Sequence, residues 1–308
     1  MKKKYAYVLF LIATVIWGLA FIFQKKASVI PAFTVGAVRS LLATLFLIAI
    51  LPLTNRLTGK TTDETKRGGL LDFNRSEIIG GLILGAIITV ATAFQQSGLS
   101  EGTDAGKAAF ITALYVVIVP IISTLLGKKP SITSIISIPI AIVGFYFLCV
   151  KDGLRLELSD IMILICAIIF AGHIVVVDLF SPRCDGVRIS LIQFASAFVF
   201  NTILALVFEG GINISDVFSV APSLLFLGIC SSGIGYTLQI MGQKEIDPTV
   251  SSMILSLESV FGVIGAAIIL KERMELREYI GSAIVFLAVI LSQTDPKLFI
   301  KKRSKTDE

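Results

Sequence analysis

Apolar residues in this chain come in long runs, not in alternation or in one-sided stripes. Ten runs reach spanning length, at approximately 5–25, 33–53, 77–98, 107–126, 132–150, 159–179, 189–208, 217–239, 249–270 and 278–293. A helix needs roughly 17–25 apolar residues to cross about 30 Å of hydrocarbon. Open strands would leave backbone groups unsatisfied in lipid, so the runs are expected to be helical. The predicted fold class is an all-α polytopic membrane protein with ten transmembrane helices. Connections are short except at 54–76, which is polar and is expected to be a flexible loop. The basic segment 295–308 is expected to be a disordered tail.

Composition agrees with that pattern. Of 308 residues, 55% are hydrophobic and 16% charged, with a mean hydropathy of +0.88. Soluble domains carry about 25% charged residues. An ordinary soluble enzyme, a disordered chain and a secreted disulfide scaffold are thereby excluded. Three of the four cysteines (Cys149, Cys166 and Cys230, but not Cys184) lie in apolar runs, and no C-x-x-C occurs. They read as small buried hydrophobes, and no metal is expected. Lys2, Lys3 and Lys4 resemble the front of a signal peptide. The run after them ends in Gln24-Lys25-Lys26 without a cleavage site, so an uncleaved first helix is expected.

The net charge is +5. The basic residues are scattered through the loops, so no nucleic-acid partner is expected. They instead report orientation. With ten spans both termini share one side, and Lys and Arg favour that side 18 to 8, with Arg39 inside a span completing the 27. Cytoplasmic loops collect Lys and Arg, so both termini are expected to be cytoplasmic. Lys271, Arg273 and Arg277 then fall outside.

A faint internal repeat is present. At an offset of 143 residues Asp104 meets Asp247, Gln96 meets Gln239, and Leu114-Tyr115 meets Leu257-Glu258. At an offset of 153, Trp17-Gly18 meets Phe170-Ala171. Five spans per half force the second half to enter the membrane in the opposite sense. Two inverted five-helix repeats follow, at 1–150 and 151–294, an arrangement typical of secondary transporters.

Several motifs then fall into an order. The first span carries Ile16-Trp17-Gly18-Leu19-Ala20-Phe21, and the second carries Arg39 after Pro31. The sixth reads Phe170-Ala171-Gly172-His173-Ile174-Val175. The ninth reads Leu255-Ser256-Leu257-Glu258-Ser259-Val260-Phe261 and is followed by Lys271-Glu272-Arg273. In this order the motifs resemble the drug/metabolite transporter superfamily, with two EamA-type repeats over about 5–293. The last motif is similar to that family's G-E-R, with Lys271 in place of Gly. The resemblance implies alternating-access transport of a small organic solute across the cytoplasmic membrane, export slightly favoured. It does not name the solute, and it implies no cofactor. A monomer or weak homodimer is expected, the lipid bilayer being the other partner.

Polar residues within spans are expensive, about 2.5–3.5 kcal/mol for a central charge on insertion scales, and so mark candidate sites. Glu258 lies near mid-depth of the ninth span and could bind a cationic group, carry a proton, or tie helices together. Arg39 could hold an anionic group, snorkel, or pair with a carboxylate. His173 could relay a proton or be a packed histidine, and Asp178 reads as an interfacial charge. Trp17 and Phe21 are four residues apart and share a face. Gln96, Tyr115, Tyr236 and Gln239 complete the candidate substrate-binding set, in a cavity expected among spans 1, 3, 4, 6, 8 and 9. Gly81 and Gly85 permit close helix packing, Gly233 and Gly235 could loosen the eighth span, and Pro120 and Pro139 are candidate kinks.

Two other readings compete with a carrier. His173 to Asp178 spells the His-x-x-x-x-Asp of acyltransferases, and Glu101-Gly102-Thr103 echoes a second motif of such enzymes. The order is reversed and the two motifs fall at opposite membrane faces, so an enzyme is not expected. A channel would call for a ring of like polar groups. The sequence offers one asymmetric set instead.

Overall fold

The computed structural model describes residues 3–57, 72–127, 132–149, 157–273 and 275–294. These form helices and their turns, with no strand among the described residues. The first half contains α1 (Lys3–Ala27), α2 (Ala32–Leu57), α3 (Arg75–Ser100), α4 (Ala105–Thr112), α5 (Tyr115–Leu125) and α6 (Ile132–Cys149). The second contains α7 (Leu158–Phe180), α8 (Gly186–Phe208), the short α9 (Ile214–Ser219), α10 (Ala221–Leu225), α11 (Tyr236–Gln243), α12 (Pro248–Leu255), α13 (Glu258–Gly265) and α14 (Leu276–Gln293). Eight stretches are long and apolar enough to cross a membrane: Lys4–Ala27, Ala32–Thr54, Arg75–Ser100, Ala105–Leu125, Leu158–Arg183, Gly186–Phe208, Ala221–Gln243 and Pro248–Leu270. Shorter apolar cores occupy α6 and α14, which pack along each other. The chain is a polytopic helical membrane protein. The middle of the predicted 54–76 loop and the 295–308 tail lie outside the described residues.

Helix starts follow local chemistry. Asn74 and Glu77 form a capping box at α3, and Asp185 accepts from Val187 and Arg188 at the start of α8. Other caps come from distant chain. The Glu209 carboxylate accepts from the N–H groups of Phe33 and Thr34 at 2.6 and 2.8 Å, closing the start of α2. Glu272 does the same for Ala105 and Gly106 at α4, at 3.0 and 3.1 Å. Glu77 also accepts from the Asp185 backbone at 2.9 Å. Each places negative charge on the positive end of a helix dipole and clamps one half of the chain to the other.

The contacts fix the sense of each half. Phe10, early in α1, lies against Gly242 at the end of α11. Lys244, just beyond, donates to the Cys184 carbonyl after α7. Lys25, late in α1, donates to the Leu99 carbonyl in the last turn of α3 and to the Thr103 carbonyl just beyond it. There Thr103 and Lys107 meet Asp160, at the start of α7. So α1 begins at the end of the molecule where α7 finishes, and α7 begins where α1 finishes. The halves run in opposite senses through the membrane.

Close approach relies on glycine. A Cβ on Gly85 would lie 1.9 Å from Ser196 Oγ, and one on Gly81 2.5 Å from the Ile192 Cβ, so α3 meets α8 nearly backbone to backbone. Gly18 does the same for α1 against α13, where a Cβ would sit 2.8 Å from the Glu258 carbonyl. The expected G-x-x-x-G contact is thus made inside one chain.

Four irregular segments interrupt the spans. The fourth and ninth spans are each broken, at Ala113-Leu114 and at Ser256-Leu257, equivalent positions at the 143-residue offset. In both, the backbone tightens to i→i−3 bonds: Leu114 to Ile111 and Val116 to Ala113, Leu257 to Ile254 and Ser259 to Ser256. The break is not at Pro120; α5 runs on through it, as α6 does through Pro139. The eighth span widens to a π-helix over Phe226–Gly235, where glycines had been noted. A second π segment, Ala266–Leu270, ends on Lys271 with φ of 58°.

The repeat does not reproduce one buried ion pair. Lys107 and Asp160 form a buried ion pair at 2.6 Å, joining α4 to α7. Their equivalents at the offsets of 143 and 153 are Val250 and Tyr7, which carry no charge.

Candidate functional site

A cavity lies between the two halves. Its walls come from α1, α2, α3, the α4–α5 break, α7, the π segment, α11 and α13. Eight of the nine candidate residues line it: Trp17, Phe21, Arg39, Tyr115, His173, Tyr236, Gln239 and Glu258. Gln96 does not. Successive helical residues point about 100° apart, so Gln96 turns away and donates to the Gln24 carbonyl at 3.0 Å. Its neighbour Gln95 lines the cavity instead. Asp178, in the last turn of α7, is not part of the wall.

The two broken spans deliver Tyr115 and Glu258. Each is the first residue of the half-helix after a break, so the tightened turn sets how its side chain enters. The Tyr115 hydroxyl faces the Glu258 carboxyl but makes no hydrogen bond of good geometry. Glu258 is 4% exposed, and among the described residues no cation pairs with it.

Arg39 enters from α2 and is 5% exposed. Its Nε donates to Ser232 Oγ at 3.0 Å and its Nη2 to Ser231 Oγ at 3.3 Å. Among the described residues no carboxylate pairs with it. Neither snorkelling nor an ion pair describes it. It is a buried cation held by two hydroxyls of the π segment, with donors to spare.

Aromatic rings complete the wall. Trp17 and Tyr236 are 4.7 Å apart, and Trp17 Nε1 donates to the Ser231 carbonyl at 3.2 Å. His173 stands edge-on to Tyr236 at 5.6 Å and to Phe170 at 6.5 Å. Its Nε2 lies 3.2 Å from Gln193 Oε1, within hydrogen-bond distance. The acyltransferase-like pattern does not assemble here, because Glu101 sits exposed beyond the end of α3.

The sequence missed several polar wall residues. Gln24 donates to Gln95 at 2.8 Å, and Gln95 donates to Thr112 at 3.2 Å. Ser231 was also missed. A Gln close to a span end or a Ser within a span carries no charge cost that would flag it. Two polar atoms of the wall, Tyr115 Oη and Gln239 Oε1, have no protein partner. Buried polar groups are normally satisfied, so these are available to a bound molecule. Among the described residues no three His, Cys, Asp or Glu gather as metal ligands would.

Comparison with known proteins agrees with this architecture. An uncharacterized transporter of Archaeoglobus fulgidus is 28% identical over 297 residues, covering 94% of this chain and 86% of that protein. A solved crystal structure superposes with a TM-score of 0.69 at 14% identity, over 94% of this chain and 96% of the other, a likeness of fold alone. The profile of the EamA-like transporter family matches twice, over residues 4–150 and 157–294. A helical membrane protein with two opposed halves around a polar cavity, matched over nearly its whole length, the chain belongs to the EamA-like transporter family.

Proposed function

We propose that the protein is a secondary transporter of the cytoplasmic membrane that moves a small organic solute by alternating access. One observation carries this reading: a cavity walled by both inverted halves holds a buried cation, Arg39, and a buried acid, Glu258, neither ion-paired among the described residues. Such charges inside a membrane protein are costly unless used. The wall offers aromatic faces beside them, which favours a solute with polar ends and an apolar body.

In this reading residues 1–150 and 151–294 are the two repeats and 295–308 is a cytoplasmic tail. Rocking of one repeat against the other would open the cavity to each side in turn. Trp17, Phe21, Arg39, Tyr115, His173, Tyr236, Gln239 and Glu258 contact the solute. Glu258 exchanges a proton during the cycle. Export is the working direction, and both termini are cytoplasmic, supported by the bias of Lys and Arg.

The test is a thermal-shift screen of the purified protein against a metabolite library, followed by counterflow in liposomes. A ligand that binds only the folded state raises its stability. Saturable flux stimulated by solute on the far side is expected. Flux that never saturates would replace the carrier by a channel.

A further inference from the structure

His173 is the chain's single histidine, and it lines the central cavity with one ring nitrogen engaged behind the wall. Its Nε2 lies 3.2 Å from the side-chain amide of Gln193 on α8, and the ring has no other hydrogen-bond partner among the described residues. Phe170 and Tyr236 stand edge-on to the imidazole, at interplanar angles of 86° and 84°, and hold its plane. Nδ1 is therefore the nitrogen left to a bound molecule.

Gln193 is fully buried and does not line the cavity. Its backbone is clamped by α3. A Cβ on Gly81 would lie 3.2 Å from the Gln193 nitrogen, one on Gly85 2.6 Å from its carbonyl oxygen, and Ser196 donates to that oxygen at 3.0 Å. The side-chain amide is held far less. Its Nε2 is buried and has no partner, so the contact with His173 is the one hydrogen bond the amide makes among the described residues.

A glutamine amide has the same outline either way round, with an acceptor at one end and a donor at the other, and a neutral imidazole carries one N–H and one lone pair. The partner on one ring nitrogen sets the state of the other. With the amide oxygen towards His173, the ring Nε2 carries the proton and Nδ1 shows a lone pair to the cavity. With the amide turned over, its NH2 donates to the ring Nε2, and Nδ1 carries the N–H. Each arrangement makes one bond and leaves one amide end unpaired, so no protein partner decides between them. We propose that Gln193 is a positioning residue for His173, and that rotation of its amide lets the wall present either an acceptor or a donor at Nδ1. The consequence for a solute rests on the reading of the cavity as a transport site; the exchange of tautomers does not.

Ring 15N NMR of the full-length protein in lipid nanodiscs, labelled at histidine and purified without a histidine tag, tests this with one residue in view. No solute is added, so the proposal can fail while transport stands. The wild type is expected to show both neutral tautomers, as two sets of ring signals or one averaged set. Gln193→Met should lose the Nε2–H form, because a buried N–H without a partner is rarer than an acceptor without one. The proton then sits on Nδ1, where the polar cavity can satisfy it. Gln193→Leu serves if the first variant does not fold. A single tautomer in the wild type would overturn the proposal. So would a tautomer balance that the variant leaves unchanged, or a ring protonated on both nitrogens at neutral pH.

Discussion

Tyr115 and Glu258 hold the same place in the two halves of the chain, each opening the half-helix that follows a break, and they face one another across a single cavity. The pairing joins a neutral hydroxyl from one half to an acid from the other.

Glu258→Gln keeps the shape of the side chain and removes its charge. Solute counterflow is expected to fall at least roughly tenfold, the equivalent of about 1.4 kcal/mol. The remaining rate should lose its dependence on pH. An unchanged rate with an unchanged pH profile would remove Glu258 from proton exchange.

Arg39→Gln leaves Ser231 and Ser232 without their donor and the cavity without its cation. A charge-assisted hydrogen bond contributes about 1.5–3 kcal/mol, so solute affinity should weaken by roughly one to two orders of magnitude. Arg39→Lys should not rescue it, since an ammonium cannot span both hydroxyls and a ligand in the same plane. Titration of ligand by thermal shift in detergent reads both variants.

Asp160→Asn strands the Lys107 ammonium in a buried position. Breaking one partner of such a pair costs about 3–5 kcal/mol, so the melting temperature should drop sharply. Lys107→Met combined with Asp160→Leu should recover most of the loss, because no charge is then left buried. Non-recovery would mean that the pair, and not the absence of a lone charge, holds α4 to α7.

Gly85→Ala and Gly172→Ala should part company. The first forces a methyl against Ser196 and Gln193, and overpacking of that kind costs about 1–3 kcal/mol. The second meets nothing within 4 Å in the middle of α7, and Ala there should stabilise by up to about 1 kcal/mol. Melting temperatures of the two variants decide.

Lys271→Gly should also stabilise. Lys271 closes a helix with φ of 58°, a left-handed conformation that costs an ordinary residue about 1–2 kcal/mol and glycine almost nothing. The rise in melting temperature is expected without any change in solute affinity.

The sequence made the spans legible because apolar run length is read directly against bilayer thickness. Most wall residues were legible because charge and aromatic rings within hydrocarbon are conspicuous. Gln96 failed for want of a helical phase: Gln95 and Gln96 are equally polar, and only the rotation of α3 separates them. The breaks before Tyr115 and Glu258 were hidden for another reason. Proline marks a helix defect in sequence, yet both breaks are made by ordinary residues, Ala113-Leu114 and Ser256-Leu257, whose backbone tightens by one hydrogen-bond step. The π segment left a trace in its glycines and no more.

The Lys107–Asp160 pair has a counterpart in neither Tyr7 nor Val250. The two mouths of the molecule therefore respond differently to their surroundings. Parting the helices where α4 meets α7 means rehydrating two full charges, a process that dissolved electrolyte assists. At the opposite mouth the equivalent positions are Val250 and Tyr7, so this pair is not repeated there. In the proposed alternating-access cycle, ionic strength would act on this pair at one mouth alone.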